Sequence, residues 1–367
     1  MIKRYKHRNR GWMKRSSRVY LNDLNRSKSA TLDSFLQKYT NAVNYSIVRL
    51  WSSKDFSSSL VDKRFTSDIR SRFGVTARLA QCIAKQAKEI VLSQRKKDRK
   101  TMPRFKHPVA NLDDRFTTIE NFNGSFDMCI KFASGVPKIV VPFNRTKHTN
   151  KFMDNSWELS SSIRLGRNEN GLFIDLLFEK EPPLKRTTGK VIGIDRGFNS
   201  MLFTSDNRQI GTELKAETKA AGKRRKSFHH YVETEENRYL KTLDLDGIRM
   251  LVLENLKYVK HNKRGKFSRQ SNRLLSFWHY AKVGRRLECL CEEVGVSIEL
   301  KDPRKTSQRC PACGNIDRRN RSGERFKCLA CGFADNADHV GALNLEALGL
   351  AGAYSLRSLK SKNHRTK

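Results

Sequence analysis

Four cysteines, Cys310, Cys313, Cys328 and Cys331, form two Cys-x-x-Cys pairs separated by fourteen residues. Each pair can turn back so that two thiolates face one ion, and two such knuckles complete a tetrahedral cage. The expected occupant is structural zinc, because four sulfur ligands leave no coordination position open for a reacting molecule. A redox dithiol is the alternative. The loop between the knuckles carries Arg318, Arg319, Arg321, Arg325 and Lys327, so a cage at its base would make it a rigid phosphate-gripping finger. The remaining cysteines, Cys82, Cys129, Cys289 and Cys291, are scattered through segments that read as helix or strand. They are expected to be small buried hydrophobes.

Three acids make a second set. Asp195 follows the apolar run "VIGI", Glu254 follows "MLVL", and Asp338 lies in "NADHVGALNL", which reads as the opening of a helix. Taken singly, an acid at a strand end is solvated, and one in a first helical turn complements the helix dipole. Taken together, three carboxylates from separate segments of one α/β domain suit a two-metal phosphodiesterase. Such a site neutralises two cations about 4 Å apart while they activate water and stabilise the leaving oxygen. Two Mg²⁺ ions held by Asp195, Glu254 and Asp338 are the expectation.

The elements that must carry these residues are legible from periodicity. Over 32–51, Leu32, Phe35, Leu36, Tyr39, Val43, Ile47 and Leu50 fall on one helical stripe, and over 76–100 Leu79, Ile83, Ala87 and Ile90 do the same before Pro103. Strand texture follows in "VPKIVVPF" and in a hairpin of "SSIRLGR" with "GLFIDLLFEKE", turning through Asn168 to Gly171. The early segment "SRVYL" is expected to return to that sheet. "EPPLKRTTGK" reads as a linker. Beyond it, strands at 190–195, around 202–210, at 248–254 and at 296–300 alternate with an amphipathic helix over 272–295, as in a mixed α/β sheet covered by helices.

Composition narrows the partners. The 367 residues hold 74 Lys+Arg against 37 Asp+Glu, a formal net charge of +37. That excess attracts polyanions, with nucleic acid first among them. No apolar run approaches the roughly 18 residues of a membrane span, and "MIKRYKHRNR" has no apolar stretch behind it, so a cytoplasmic, nucleoid-associated protein is expected. Candidate backbone contacts are Arg95, Lys96, Lys97, Arg99, Lys100, Arg104 and Lys106. Tyr39, Trp51, Phe105 and Trp157 are candidates for stacking on bases. Trp278 is assigned to core, His229 and His230 to solvent, and the basic stretches 262–270 and 357–367 to segments that order on RNA.

"GIDRGF", "VLENLK", "KTSQRCPACG" and "CGFADNADHVGALNL", in that order, resemble the C-terminal half of the transposon-encoded TnpB family and of the related compact type V CRISPR effectors. The resemblance implies an α/β multidomain protein: an RNase H-like RuvC nuclease domain with an inserted zinc ribbon, and an N-terminal β-barrel-like wedge domain interrupted by a small helical recognition domain. The implied boundaries are 1–28 and 101–188 for the wedge, 29–100 for the recognition domain, 189–305 and 335–367 for the nuclease, and 306–334 for the ribbon. It further implies an RNA-guided DNA endonuclease, with Asp195, Glu254 and Asp338 as catalytic acids, Cys310, Cys313, Cys328 and Cys331 as zinc ligands, and guide RNA and target DNA, duplex and single-stranded, as partners. Monomer and homodimer both remain open. Two departures stand out. Val340-Gly341-Ala342 replaces a common Asn-Ala-Ala, and the stretch between Asp195 and Glu254 is short. The competing readings are a nuclease-silent RNA-guided repressor, a guide-free zinc-ribbon binder and a structure-specific resolvase.

Overall fold

The computed structural model describes residues 11–53, 63–97, 101–133, 135–154, 156–197, 200–214, 216–217, 225–256 and 280–356. Arg99, Lys100, Trp278 and the basic stretches 262–270 and 357–367 lie outside the described residues, as do the side chains of His229 and His230. The chain forms two compact units, Met1–Glu181 and Pro182–Lys367.

In the first unit the elements are β1 (Met13–Tyr20), α1 (Arg26–Ser52), α2 (Lys63–Phe73), α3 (Ala77–Arg95), β2 (Val109–Leu112), β3 (Thr117–Asn121), β4 (Met128–Phe132), β5 (Val140–Phe143), the single turn α4 (Lys147–Asn150), β6 (Glu158–Asn168) and β7 (Gly171–Lys180). The stripe expected on α1 is the one it buries: Leu32, Phe35, Leu36, Tyr39, Val43 and Ile47 all face the core. Asn25 starts this helix by accepting the Lys28 N–H at 2.8 Å. Tyr39 is core and not a stacking platform; it is 1% exposed and its hydroxyl donates to Gln86 Oε1 at 2.8 Å. Arg95 is also engaged within the unit, donating to the Trp51 and Ser53 carbonyls at 3.1 Å each. A cation there satisfies the open carbonyls at the C-terminus of α1. Helix α2 carries Phe65, Ile69 and Phe73 at four-residue spacing, a short period not among the stripes read from the sequence; Ile69 is buried and the two phenylalanines pack partly buried against the same core.

The strands of this unit correct the expectation of a barrel. Among the described residues they form two open sheets, one ordered β1-β7-β6-β2 and one ordered β3-β4-β5. The hairpin turns as read, with Asn168 opposite Gly171 and Gly171 at φ 123°, a conformation that costs glycine no steric clash. β1 joins β7 antiparallel, as anticipated. The edges β1 and β2 stay unpaired with each other, and the register of β6 against β7 slips between Leu159 and Ile163. At that irregularity the Ser161 carbonyl accepts from the Thr117 hydroxyl of β3 instead of continuing a ladder.

The second unit contains β8 (Lys190–Asp195), β9 (Leu202–Thr204), β10 (Gln209–Ile210), α5 (Arg225–Leu240), β11 (Ile248–Glu254), α6 (Tyr280–Val294), β12 (Ser297–Lys301), the short strands β13 (Arg321–Ser322), β14 (Arg325–Lys327) and β15 (Ala334–Asn336), and α7 (Ala337–Leu350). Its main sheet runs β10-β9-β8-β11-β12. β8 pairs antiparallel with β9 and parallel with β11, and β11 pairs parallel with β12. Strands buried on both faces should read as unbroken apolar runs, and "VIGI" and "MLVL" do.

Helix α7 crosses this sheet at very short range. A Cβ added to Gly193 of β8 would stand 1.9 Å from the Ala342 carbonyl oxygen, and one on Gly349 would stand 2.4 Å from Val252 Cγ2. Glycine at both positions lets the backbones approach, so the helix is set down on the strands that end in Asp195 and Glu254. β15 runs straight into α7, which joins the cysteine module to that helix without a linker.

Candidate active site and metal centre

Ile194 and Leu253 are register partners across the parallel pair β8 and β11. The next residues, Asp195 and Glu254, therefore leave the carboxyl ends of adjacent strands, where open α/β sheets bind ligands. Asp338 enters from α7, whose N-cap Asn336 accepts the Asp338 N–H at 2.8 Å. Helix and strand meet closely here too: a Cβ on Gly341 would be 3.3 Å from Asp195 Oδ2.

Electrostatics tie the three acids together. Burial, then the charges of Glu254 and Asp338, push the Asp195 carboxyl well above the usual carboxylate range, with Arg321 opposing. Burial also raises Asp338, against the pull of Arg321, whose Nη2 lies 3.3 Å from Asp338 Oδ1. Dipole compensation alone thus does not account for Asp338. A partly buried cluster of like charge is the environment that a divalent cation relieves.

A small hydrogen-bond network fixes the frame. Thr306 Oγ1 donates to Glu254 Oε1 at 2.9 Å, and the Thr306 carbonyl accepts from Asn344 Nδ2 at 2.8 Å. Asn344 is fully buried; its Nδ2 also donates to the Arg309 carbonyl, and its Oδ1 accepts from Arg309 Nη1 at 3.0 Å. Arg196, 7% exposed, donates to the Glu254 carbonyl. His339 stands beside Asp338 and hydrogen-bonds Asp335 at 2.7 Å while stacking on Phe203. None of these supporting residues was assigned a role from sequence. Thr306, Arg309 and Asn344 nonetheless lie inside the motifs quoted above, and that membership was the available signal.

The four cysteines converge as their spacing predicts. Their sulfurs all lie within 4.8 Å of one another, the tightest such group among the described residues. Cys310 Sγ is 3.6 Å from Cys331 Sγ and Cys313 Sγ is 3.5 Å from Cys328 Sγ. A tetrahedron of sulfurs at zinc–sulfur bonding distance has edges of about 3.8 Å, so the donor set fits zinc. Both knuckles close alike, with Gly314 and Gly332 at φ 78° donating back to the Cys310 and Cys328 carbonyls. Burial pushes the Cys310 thiol up to about 12. For Cys328 burial acts upward, but N–H bonds from Cys331 and Ala330 bring the thiol down to about 6, ready to ligate as thiolate. Cys310 and Cys328 pack with Phe326, Ala337 and Val340 in one small core, which fastens the module to the first turn of α7. The three carboxylates are spread more widely than the sulfurs.

The basic candidates divide. Arg318, Arg319, Arg325 and Lys327 are exposed around the cage, whereas Arg321 is turned in toward Asp338. Lys96, Lys97, Arg104 and Lys106 are exposed in the first unit.

Comparison with known proteins agrees with this arrangement. Residues 280–345 match the family model "Cas12f1-like, TNB domain". A CRISPR-associated endodeoxyribonuclease Cas12f1 of Sulfoacidibacillus thermotolerans is 44% identical over 75 residues, 20% of this chain and 18% of that protein. A TnpB-like protein of Aquifex aeolicus is 32% identical over 105 residues, 28% of this chain and 34% of that protein. The chain thus spans about a fifth of the length of the Cas12f1 relative it matches. Among solved structures, Cas12f1 in a complex with sgRNA and target DNA shares the fold, with a TM-score of 0.58 at 16% identity over 88% of this chain and 83% of that one. The chain resembles TnpB-like proteins and the compact type V effectors. Among the described residues, no helix is long and apolar enough to cross a membrane.

Proposed function

We propose that the chain is an RNA-guided DNA endonuclease whose second unit is an RNase H-like RuvC nuclease with an inserted zinc ribbon. The observation that carries this reading is the placement of Asp195 and Glu254 at the carboxyl ends of the paired strands β8 and β11, with Asp338 brought in by the first turn of α7 and the charges of Glu254 and Asp338 both acting on Asp195. The sheet order β10-β9-β8-β11-β12, three antiparallel strands followed by two parallel ones, supports the RNase H-like assignment. Relatives named as endodeoxyribonucleases support the activity, and a neighbour solved with sgRNA and target DNA supports the partners.

In this reading the three carboxylates hold two Mg²⁺ ions. When bound, such ions activate a water and stabilise the leaving oxygen of a phosphodiester. The chain's own residues supply the frame. Thr306 orients Glu254, Arg196 fixes the end of β11, and Arg321 keeps Asp338 in place until a cation competes for it. The exposed Arg318, Arg325 and Lys327 of the ribbon grip the strand to be cut through its phosphates. The first unit, with wedge strands around a helical recognition insert, holds the guide, and guide pairing chooses the target.

The test is to purify the protein from its native genomic neighbourhood, sequence any co-purifying RNA, and assay cleavage of a matching duplex with and without Mg²⁺. Expected are a discrete RNA and Mg²⁺-dependent cutting that disappears in Asp195→Ala. Absence of both RNA and cleavage would overturn the proposal, and binding without cutting would favour a guided repressor.

A further inference from the structure

We propose that a cleft in the first unit holds one unstacked nucleotide of an RNA strand. The cleft, of about 410 Å³, lies between α1 and the segment that leads into β2. One wall is Gln37, Thr40, Asn41 and Asn44 of α1; the other is Arg104, Phe105 and Lys106. No acid lines it.

Thr40 points to a ligand. A hydroxyl in mid-helix ordinarily bonds the carbonyl four residues back, and on this same helix Thr31, Ser46 and Ser52 do so, at 2.9, 2.8 and 3.1 Å. Thr40 does not. Its residue is 9% exposed, its Oγ1 is buried, and that atom has no hydrogen-bond partner. An unpaired buried hydroxyl costs stability, and the residue that carries it borders a polar cleft, just behind whose wall the hydroxyl lies.

The neighbours define what would satisfy it. Gln37 and Asn41, one turn apart and exposed, are joined by a 3.0 Å bond from Gln37 Nε2 to Asn41 Oδ1. This leaves an acceptor on Gln37 and donors on Asn41, the amide groups that read base edges. Asn44 bonds both the carbonyl and the N–H of Phe105, at 3.0 and 2.9 Å, so the facing wall is held in place before anything binds. Half-buried Phe105 adds an apolar surface for a base, and exposed Arg104 and Lys106 suit the flanking phosphates. Bases in a duplex are paired and stacked, so a concave site with amides at its mouth fits a base splayed from a single strand. The choice of RNA rests on the function proposed above: a 2′-hydroxyl, both donor and acceptor, complements the Thr40 hydroxyl and the two amides.

The test reads binding only, on the full-length zinc-loaded protein. The probes are fluorescent oligomers of about ten nucleotides, rA, rC and rU with their deoxy counterparts, in roughly 0.3 M salt to suppress non-specific phosphate contacts. Thr40→Val should leave the thermal midpoint unchanged or higher and weaken RNA binding about fivefold, with less effect on DNA. Gln37→Ala with Asn41→Ala should flatten the preference among the three RNA oligomers. Arg104→Ala with Lys106→Ala should weaken all six probes alike. Thr40→Val that lowers the midpoint while sparing RNA affinity would overturn the proposal, as would amide variants that keep the wild-type order of RNA affinities. Because no guide and no cleavage enter the assay, its failure is separate from failure of the endonuclease reading.

Discussion

Asp195 holds a proton more tightly in the folded chain than in the unfolded one, since burial, Glu254 and Asp338 all oppose its charge. The stability linked to such a group is fully present below the unfolded carboxylate pKa and is lost as pH rises through the raised folded value. The metal-free protein should therefore unfold more readily as pH climbs from the carboxylate range, and Mg²⁺ should reverse that loss, as read by denaturant midpoints at several pH values. Asp195→Asn keeps the shape and removes the charge. It should raise the metal-free midpoint and flatten its pH dependence, while cleavage falls to the Mg²⁺-free background. A lower metal-free midpoint for this variant would mean that the acid is held by attraction, contrary to the arrangement described. Two glycines separate packing from positioning. At Gly193 an added methyl meets backbone at 1.9 Å, so Gly193→Ala should cost about 3 kcal/mol or more as helix and strand are forced apart. At Gly341 the nearest atom is 3.3 Å away and belongs to Asp195. Gly341→Ala should lower cleavage with little change in thermal midpoint, because the displaced group is the carboxylate itself.

The strands and helices that carry the site were largely legible, because each follows its hydrophobic period. β8 and β11 are apolar runs closed by an acid, and the two knuckles are written in cysteine spacing. What periodicity does not encode is which polar residue is buried. Asn344 sits in a helix whose apolar positions account for its docking, and nothing in the pattern distinguishes it from a solvated amide. The structure buries it completely against the Thr306 and Arg309 carbonyls. Asn344→Ala leaves both carbonyls without that donor and should cost about 3 kcal/mol, measured by urea unfolding. The four-cysteine module has a similar hidden role, since Ala337 and Val340 of α7 share its core. Stripping zinc with a chelator should speed amide exchange through Asp338 to Val340 and abolish cleavage. Zn²⁺ should restore activity and added Mg²⁺ should not, because the frame of the third acid is what is lost.

Across the whole molecule, charge was readable and closure was not. A net +37 predicts a polyanion partner without any structure, whereas the expected barrel depended on whether the edges of β1 and β2 meet, a long-range outcome that no local pattern records. The structure also grades charges that composition counts equally. Arg319 is doubly bonded to Asp317, Nη2 to Oδ2 at 2.8 Å, and that guanidinium holds the Asp317 carboxyl down to about 2. Part of its charge is already neutralised within the protein. Arg325 is exposed on β14 and its side chain is not drawn into that pairing. If the ribbon grips phosphates, each full contact to a single strand contributes about 0.7 to the slope of log K against log salt. Titrating a single-stranded DNA over a series of salt concentrations should then show Arg325→Ala reducing the slope by nearly that amount and Arg319→Ala reducing it less. Equal reductions would place the Asp317 pairing outside the bound state, with Arg319 released to the nucleic acid.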